Sequence, residues 1–203
     1  MELISISIQV APYGKFHLDL SPDLTVDDLR RQLVARYSDF ADLSSEDTLV
    51  FAAQISLGNQ TLREIGLESG SAVFFVIPKA ATTLELSLFN EKRPRVRVPS
   101  SQTPALVGRN DEEFTEKLTL DLEPLLREIG SEIHKVSRGQ AWLIFKDGLW
   151  FVQLYEGAKA PVFVNARQIS QVELIPLQEA DVIAFGNKQG NPAIQFIVHY
   201  ALD

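Results

Sequence analysis

Cysteine is absent from the 203 residues. That absence excludes disulfides, thiolate metal sites and cysteine nucleophiles together, and it leads us to expect a cytoplasmic protein. Positive charge is also in deficit, with 19 Lys and Arg against 27 Asp and Glu and a formal net charge of −8. Nucleic-acid binders carry a basic excess, because neutralising phosphates supplies most of their non-specific affinity, so no nucleic-acid partner is expected. No apolar run approaches the ~20 residues of a membrane-spanning helix. The longest, Ala72 to Pro78, reads as a strand, and no membrane insertion is expected. Met1 to Val10 has no basic n-region and alternates like a strand, so no secretory signal is expected.

Chemistry-bearing clusters are sparse as well. His17, His134 and His199 fall in three different predicted elements, which argues against a metal site or a catalytic triad. The acidic groups Asp27-Asp28, Asp42 to Asp47 and Asp111 to Glu116 lack the calcium-loop spacing, and no phosphate-cradling glycine loop is present. No cofactor and no catalysis are expected. What is present is the composition of an ordinary globular protein, 45% hydrophobic and 23% charged, with enough length for two small domains.

Ile4 to Val10 alternates strictly, Ala11-Pro12-Tyr13-Gly14 marks a turn, and Phe16 to Leu20 alternates again, so the first two strands form a hairpin. Thr25 can cap a helix with Asp27 and Asp28 in its first turn and an apolar stripe of Val26, Leu29, Leu33 and Tyr37. Leu49 to Phe51 is a short strand, Gly58-Asn59 a turn, Thr61 to Leu67 a helical turn or ordered loop, and Ala72 to Ile77 a final strand. This order predicts an α+β β-grasp, a mixed sheet with a helix on one face.

On these residues, 1 to 79 resembles ubiquitin along its whole length. Thr48 to Gln54 is similar to the strand and turn around ubiquitin's hydrophobic patch, and Thr61-Leu62, Ile65 and Glu68-Ser69-Gly70-Ser71 match its later segment. The chain continues as Pro78-Lys79-Ala80-Ala81 where conjugated modifiers end in di-glycine, and an acidic insertion runs from Ser38 to Asp47. The resemblance is therefore to the non-conjugated bacterial ubiquitin-like proteins, including those of specialised secretion systems. It implies that Val50, Phe74 and Val76 form a partner surface, with Val73, Phe75 and Ile77 toward the core.

Residues 80 to 83 read as a linker, and 84 to 203 as an all-β sandwich. The predicted strands are Leu84 to Phe89, Arg95 to Val98, Ala105 to Gly108, Lys117 to Asp121, Ala141 to Lys146, Leu149 to Tyr155, Val162 to Val164, Ile169 to Leu174, Asp181 to Phe185 and Ile194 to Tyr200. Lys146-Asp147-Gly148 is a hairpin turn. The basic run Lys92 to Arg97 reads as a charged strand edge.

Val107-Gly108-Arg109, Leu120-Asp121-Leu122, Val136-Ser137-Arg138, Trp150, Phe163-Val164-Asn165, Gln168-Ile169 and Ala180 to Gly186 follow one another in this half. Their order and spacing resemble a forkhead-associated (FHA) domain, a phosphothreonine reader. The resemblance implies a phosphopeptide site of Arg109, Ser137, Arg138, Gln140, Lys159 and Asn165, with Gly108 allowing a tight turn that points the arginine outward. Gln140 stands where the family has a bracing histidine. Ala160 and Pro161 replace the asparagine and glycine of its peptide-clamping loop.

Two readings follow. In one the chain is a non-catalytic adaptor that binds a protein or a phosphothreonine-containing peptide. In the other it is a phosphate-independent scaffold, such as a secretion-system accessory component, with Arg109 paired to Asp111 or Glu112.

Overall fold

Alternation puts Ile4, Ile6 and Ile8 on one side of strand β1 (Ile4–Val10), and all three are buried. Strand β2 (Gly14–Leu20) returns antiparallel and adds Leu18 and Leu20 to the same core. Thr25 then opens helix α1 (Val26–Arg36), its Oγ1 accepting the Asp28 N–H at 3.1 Å. The Thr25 hydroxyl, with the Arg31 guanidinium behind it, holds the Asp28 carboxyl below its ordinary range. Val26, Leu29 and Leu33 are the buried stripe of the helix. Thr61 and Glu64 cap the later turn reciprocally, each backbone N–H meeting the other's side chain, and Leu62 and Leu67 are buried beside it.

A computed structural model describes residues 3–10, 14–36, 48–51, 54–56, 58–76, 82–111, 113–186 and 191–201. The chain divides into two compact units, Met1–Pro78 and Lys79–Asp203. In the first, strands β3 (Thr48–Phe51), β4 (Gln54–Ser56) and β5 (Ala72–Val76) complete a sheet of order β2-β1-β5-β3-β4. β5 runs parallel to β1 and antiparallel to β3. That is the β-grasp arrangement, with β4 an addition the sequence did not suggest. The acidic stretch Ser38 to Asp47 lies outside the described residues, as do 77–81, which include half of the expected linker. Thr83, assigned to that linker, opens a strand instead, because it pairs with Pro99 and Ala201.

Val50 is paired with Phe74, and Thr48 with Val76. Phe74 is half-buried where neighbouring Val73 is buried. The side chains of Val50, Phe75 and Val76, and all of Ile77, lie outside the described residues.

The second unit runs β6 (Thr83–Leu88), β7 (Pro94–Pro99), β8 (Ala105–Gly108), β9 (Leu120–Asp121), α2 (Glu123–Glu128), β10 (Ala141–Lys146), β11 (Leu149–Leu154), β12 (Val162–Val164), β13 (Arg167–Gln168), β14 (Leu174–Pro176), β15 (Val182–Phe185) and β16 (Ile194–Ala201). They form two sheets, β14-β11-β10-β8-β9 and β13-β12-β15-β16-β6-β7. Both contribute to the core: Leu106, Leu143, Trp150 and Val152 from the first, Leu86, Ile183, Phe196 and Val198 from the second. The basic strand β7 is an edge, as its charge pattern predicts. No helix among the described residues is long and apolar enough to cross a membrane.

Two predicted strands are corrected. Of Lys117 to Asp121 only Leu120 and Asp121 are strand. Ile169 to Leu174 is mostly a turn, in which Glu173 accepts the Ser170 N–H, and only Leu174 joins a strand. Pairing is made earlier, by Arg167 and Gln168 folding back on Val164 and Phe163. Asn165 and Ala166 turn that hairpin with φ of 50° and 64°. Asparagine tolerates the left-handed region, whereas an alanine Cβ is crowded there. Ala166→Gly is expected to stabilise the unit by about 0.5–1 kcal/mol, the usual gain where glycine relieves a positive φ. Urea unfolding followed by tryptophan fluorescence measures this, since both tryptophans, Trp142 and Trp150, lie in the second unit.

Candidate functional site

Strand register brings three separate loops to one end of the second unit. Ala141 pairs with Val107 on one side and Leu154 on the other, so the chain leaving β8, the chain entering β10 and the chain leaving β11 lie together. The leaving segments carry Arg109 and Lys159, and the entering one carries Ser137, Arg138 and Gln140. Arg109, Ser137, Arg138 and Lys159 all line one cleft of about 870 Å³, with Phe114 and Tyr155 forming an aromatic wall.

Gln140 is fully buried beneath the cleft and bonds in two directions. Its Oε1 accepts the Ser137 N–H at 2.8 Å, and its Nε2 donates to the Ala160 carbonyl at 2.7 Å. Ser137 closes the same connection from above, its Oγ accepting the N–H groups of Lys159 and Ala160, each at 2.9 Å. A hydroxyl accepts twice and donates once, so with both acceptor places filled the Ser137 hydroxyl still has its proton to donate.

Gly108 works differently from the expectation of a tight turn. Its φ is not in the left-handed region; a Cβ there would stand 1.8 Å from the Arg138 carbonyl oxygen. The glycine is required because two backbones touch, and that contact sets the Arg109 and Arg138 segments side by side. The Arg109 backbone N–H donates to the Ser137 carbonyl at 3.1 Å, and its Nε donates to the Val136 carbonyl at 3.0 Å.

Both guanidiniums already hold a carboxylate. Asp111 Oδ2 lies 3.0 Å from Arg109 Nη1 and 2.9 Å from Arg138 Nε, and Glu113 lies 2.9 Å from Arg138 Nη2. The Glu113 backbone N–H, then Arg138 and Arg109, hold the Asp111 carboxyl below its ordinary range. The same carboxylates raise the Arg138 guanidinium. On the aromatic wall, the Tyr155 hydroxyl donates to Glu116, which with partial desolvation pushes it up to about 12.

Asn165 is not brought to this cleft. It turns the β12–β13 hairpin, at the end of β12 remote from Pro161, where Nδ2 donates to Asp181 at 2.7 Å and Oδ1 accepts the Val182 N–H at 2.9 Å. Burial pushes the Asp181 carboxyl up, against the Asn165 and Gln178 donors that hold it down. Beside the hairpin is a smaller apolar cleft of about 340 Å³ with Phe89 and Phe163 in its wall.

A second constellation escaped the sequence reading. His199 Nε2 is 3.0 Å from Ser87 Oγ, and its Nδ1 is 3.0 Å from Glu179 Oε1. The order is that of a hydrolytic triad, but Ser87 has no exposed surface and its Oγ is out of reach of any substrate carbonyl. The contact ties β6 and β16 to the turn before β15. Among the described residues no group of three or more His, Asp or Glu is placed to hold a metal ion.

No protein-family model and no curated protein matches the sequence. Solved structures do match, in two groups. A ubiquitin from Caldiarchaeum subterraneum is 20% identical over 38% of this chain and 96% of its own, with a TM-score of 0.32. The FHA domain of an Arabidopsis thaliana hypothetical protein is 15% identical over 62% of this chain and 92% of its own, at a TM-score of 0.43. An engineered FHA domain solved with a Myc-pTBD peptide is 10% identical over 61% of this chain and 94% of its own, also at 0.43. The structural neighbours of the chain thus include both ubiquitin-like and FHA domains, the two families whose motifs its halves resemble.

Proposed function

We propose that the chain is a protein-interaction adaptor of two modules, a ubiquitin-like unit and an FHA-type unit, and that the second takes a phosphothreonine-containing peptide at the three-loop cleft. The observation that supports this reading most directly is the convergence of Arg109, Ser137, Arg138 and Lys159 on one cleft, over a buried Gln140 that braces two of its loops. A phosphothreonine carries about −1.5 to −2 charges and three strong acceptor oxygens. Guanidinium forks and a hydroxyl donor suit it. Ala160 has no side chain to bind the peptide backbone, so the phosphate carries most of the affinity and sequence preference is weak. Gln140 acts as a brace in this reading, and Asn165 belongs to a separate turn and not to the site.

The test is calorimetric titration of the full chain with matched phosphorylated and unphosphorylated threonine peptides. Arg109→Ala is expected to weaken phosphopeptide binding about 10- to 100-fold, roughly 1.5–3 kcal/mol for a lost charge-assisted hydrogen bond. Ser137→Ala costs less per bond to the ligand. Equal affinity for both peptide forms across a diverse library, unchanged by Arg109→Ala, leaves the scaffold reading standing. The pairing of both arginines with Asp111 and Glu113 is the observation that favours that second reading.

A further inference from the structure

The anion site described above already contains an anion. Asp111 sits two residues beyond Arg109, and one of its oxygens bridges Arg109 and Arg138 while the other accepts the Glu113 N–H at 3.1 Å. We propose that Asp111 is an internal competitor that sets the charge threshold of the site: a dianionic phosphoryl group displaces it and a carboxylate does not. The inference rests on the phosphopeptide reading and concerns how that site chooses its ligand.

The physical argument is one of tethering. A side chain held two residues from its partner acts at an effective concentration of about millimolar or more, so a free carboxylate making the same bonds gains nothing by exchange. A phosphoryl group brings a second charge and a third oxygen. Its extra oxygens can reach the Ser137 hydroxyl proton and the exposed Lys159 ammonium, neither of which Asp111 contacts. The site as it stands therefore discriminates phosphothreonine from glutamate or aspartate at the same peptide position. Displacement lowers the apparent phosphate affinity by the fraction of time that Asp111 is off the arginines.

Asp111→Asn keeps an oxygen for the Glu113 N–H and removes the competing charge. Titration of the full chain with a peptide carrying phosphothreonine, and with the same peptide carrying glutamate there, compares the two ligands. Wild type is expected to bind the first and not the second. Asp111→Asn should bind the phosphopeptide about tenfold more tightly and bring the glutamate peptide into the measurable range. Asp111→Ser, which also keeps an acceptor for the loop, is the second variant should the amide fail to fold. Unchanged or weaker phosphopeptide binding in a folded Asp111 variant overturns the competitor and leaves the phosphopeptide reading intact. Failure of wild type and variants alike to bind any phosphopeptide of a degenerate library overturns both.

Discussion

Gly108→Ala is expected to destabilise the second unit by roughly 3 kcal/mol or more, one of the largest effects of any single methyl addition in the chain. The new Cβ would lie 1.8 Å from the Arg138 carbonyl oxygen and 2.7 Å from its carbon. Backbone atoms cannot swing aside as a side-chain tip does, so either β8 or the 137–140 segment must move. Either movement also breaks register, since the Gln140 N–H donates to the Val107 carbonyl at 2.8 Å and the Leu122 N–H to the Gly108 carbonyl at 2.7 Å. Urea unfolding by tryptophan fluorescence gives the stability directly. A midpoint unchanged from wild type would show that the two backbones are not in contact.

Gln140→Ala comes next in size, at roughly 2–4 kcal/mol. Truncation leaves the Ser137 N–H and the Ala160 carbonyl without their buried partner, and an orphaned buried group costs about 1–3 kcal/mol. It also opens a void in a position with no solvent exposure. Gln140→His separates the bonds from the volume, because an imidazole can accept at one nitrogen and donate at the other. It is expected to retain most of the stability. Gln140→Glu keeps the acceptor but turns a carboxylate oxygen on the Ala160 carbonyl, and it should be no better than alanine. A Gln140→Ala protein as stable as wild type, or a histidine variant that rescues nothing, would remove the bracing role.

The extent to which these features were legible in the sequence follows from the range of the physics involved. Strands with one buried face announce themselves by alternation, as in Ile4 to Val10, and so does the turn at Asp147 and Gly148, whose φ values are 52° and 79°. Short elements held by their neighbours do not. Helix α2 is six residues long, too short for an apolar stripe to show; Asp121 Oδ1 accepts the Glu123 N–H at its start and Leu126 is its buried residue. The candidate site was legible in part for the same reason. The motif order marked Arg109, Ser137 and Arg138, but linear spacing carries no sign that Asp111 folds back to touch two arginines. Ser87 and His199 are farther apart still, and only the β6–β16 register joins them. Asn165 is the opposite case, a residue grouped by motif order with Arg109 and Ser137 that the fold places at the other end of β12 from the cleft.

The pairing of β6 with β16 has a consequence for how the protein is made. β6 is the first strand of the second unit and β16 the last, and they share a register from Thr83 with Ala201 to Leu88 with Phe196. On the ribosome, β6 must therefore wait with Leu84 and Leu86 unburied until almost the whole unit has been synthesised. The first unit also joins its first strand to its last, but its β1–β5 pairing closes earlier, as soon as Val76 has emerged. A nascent chain stalled in between would carry a finished β-grasp sheet ahead of an apolar strand with an open edge, which is the state a chaperone recognises and a neighbouring chain can invade.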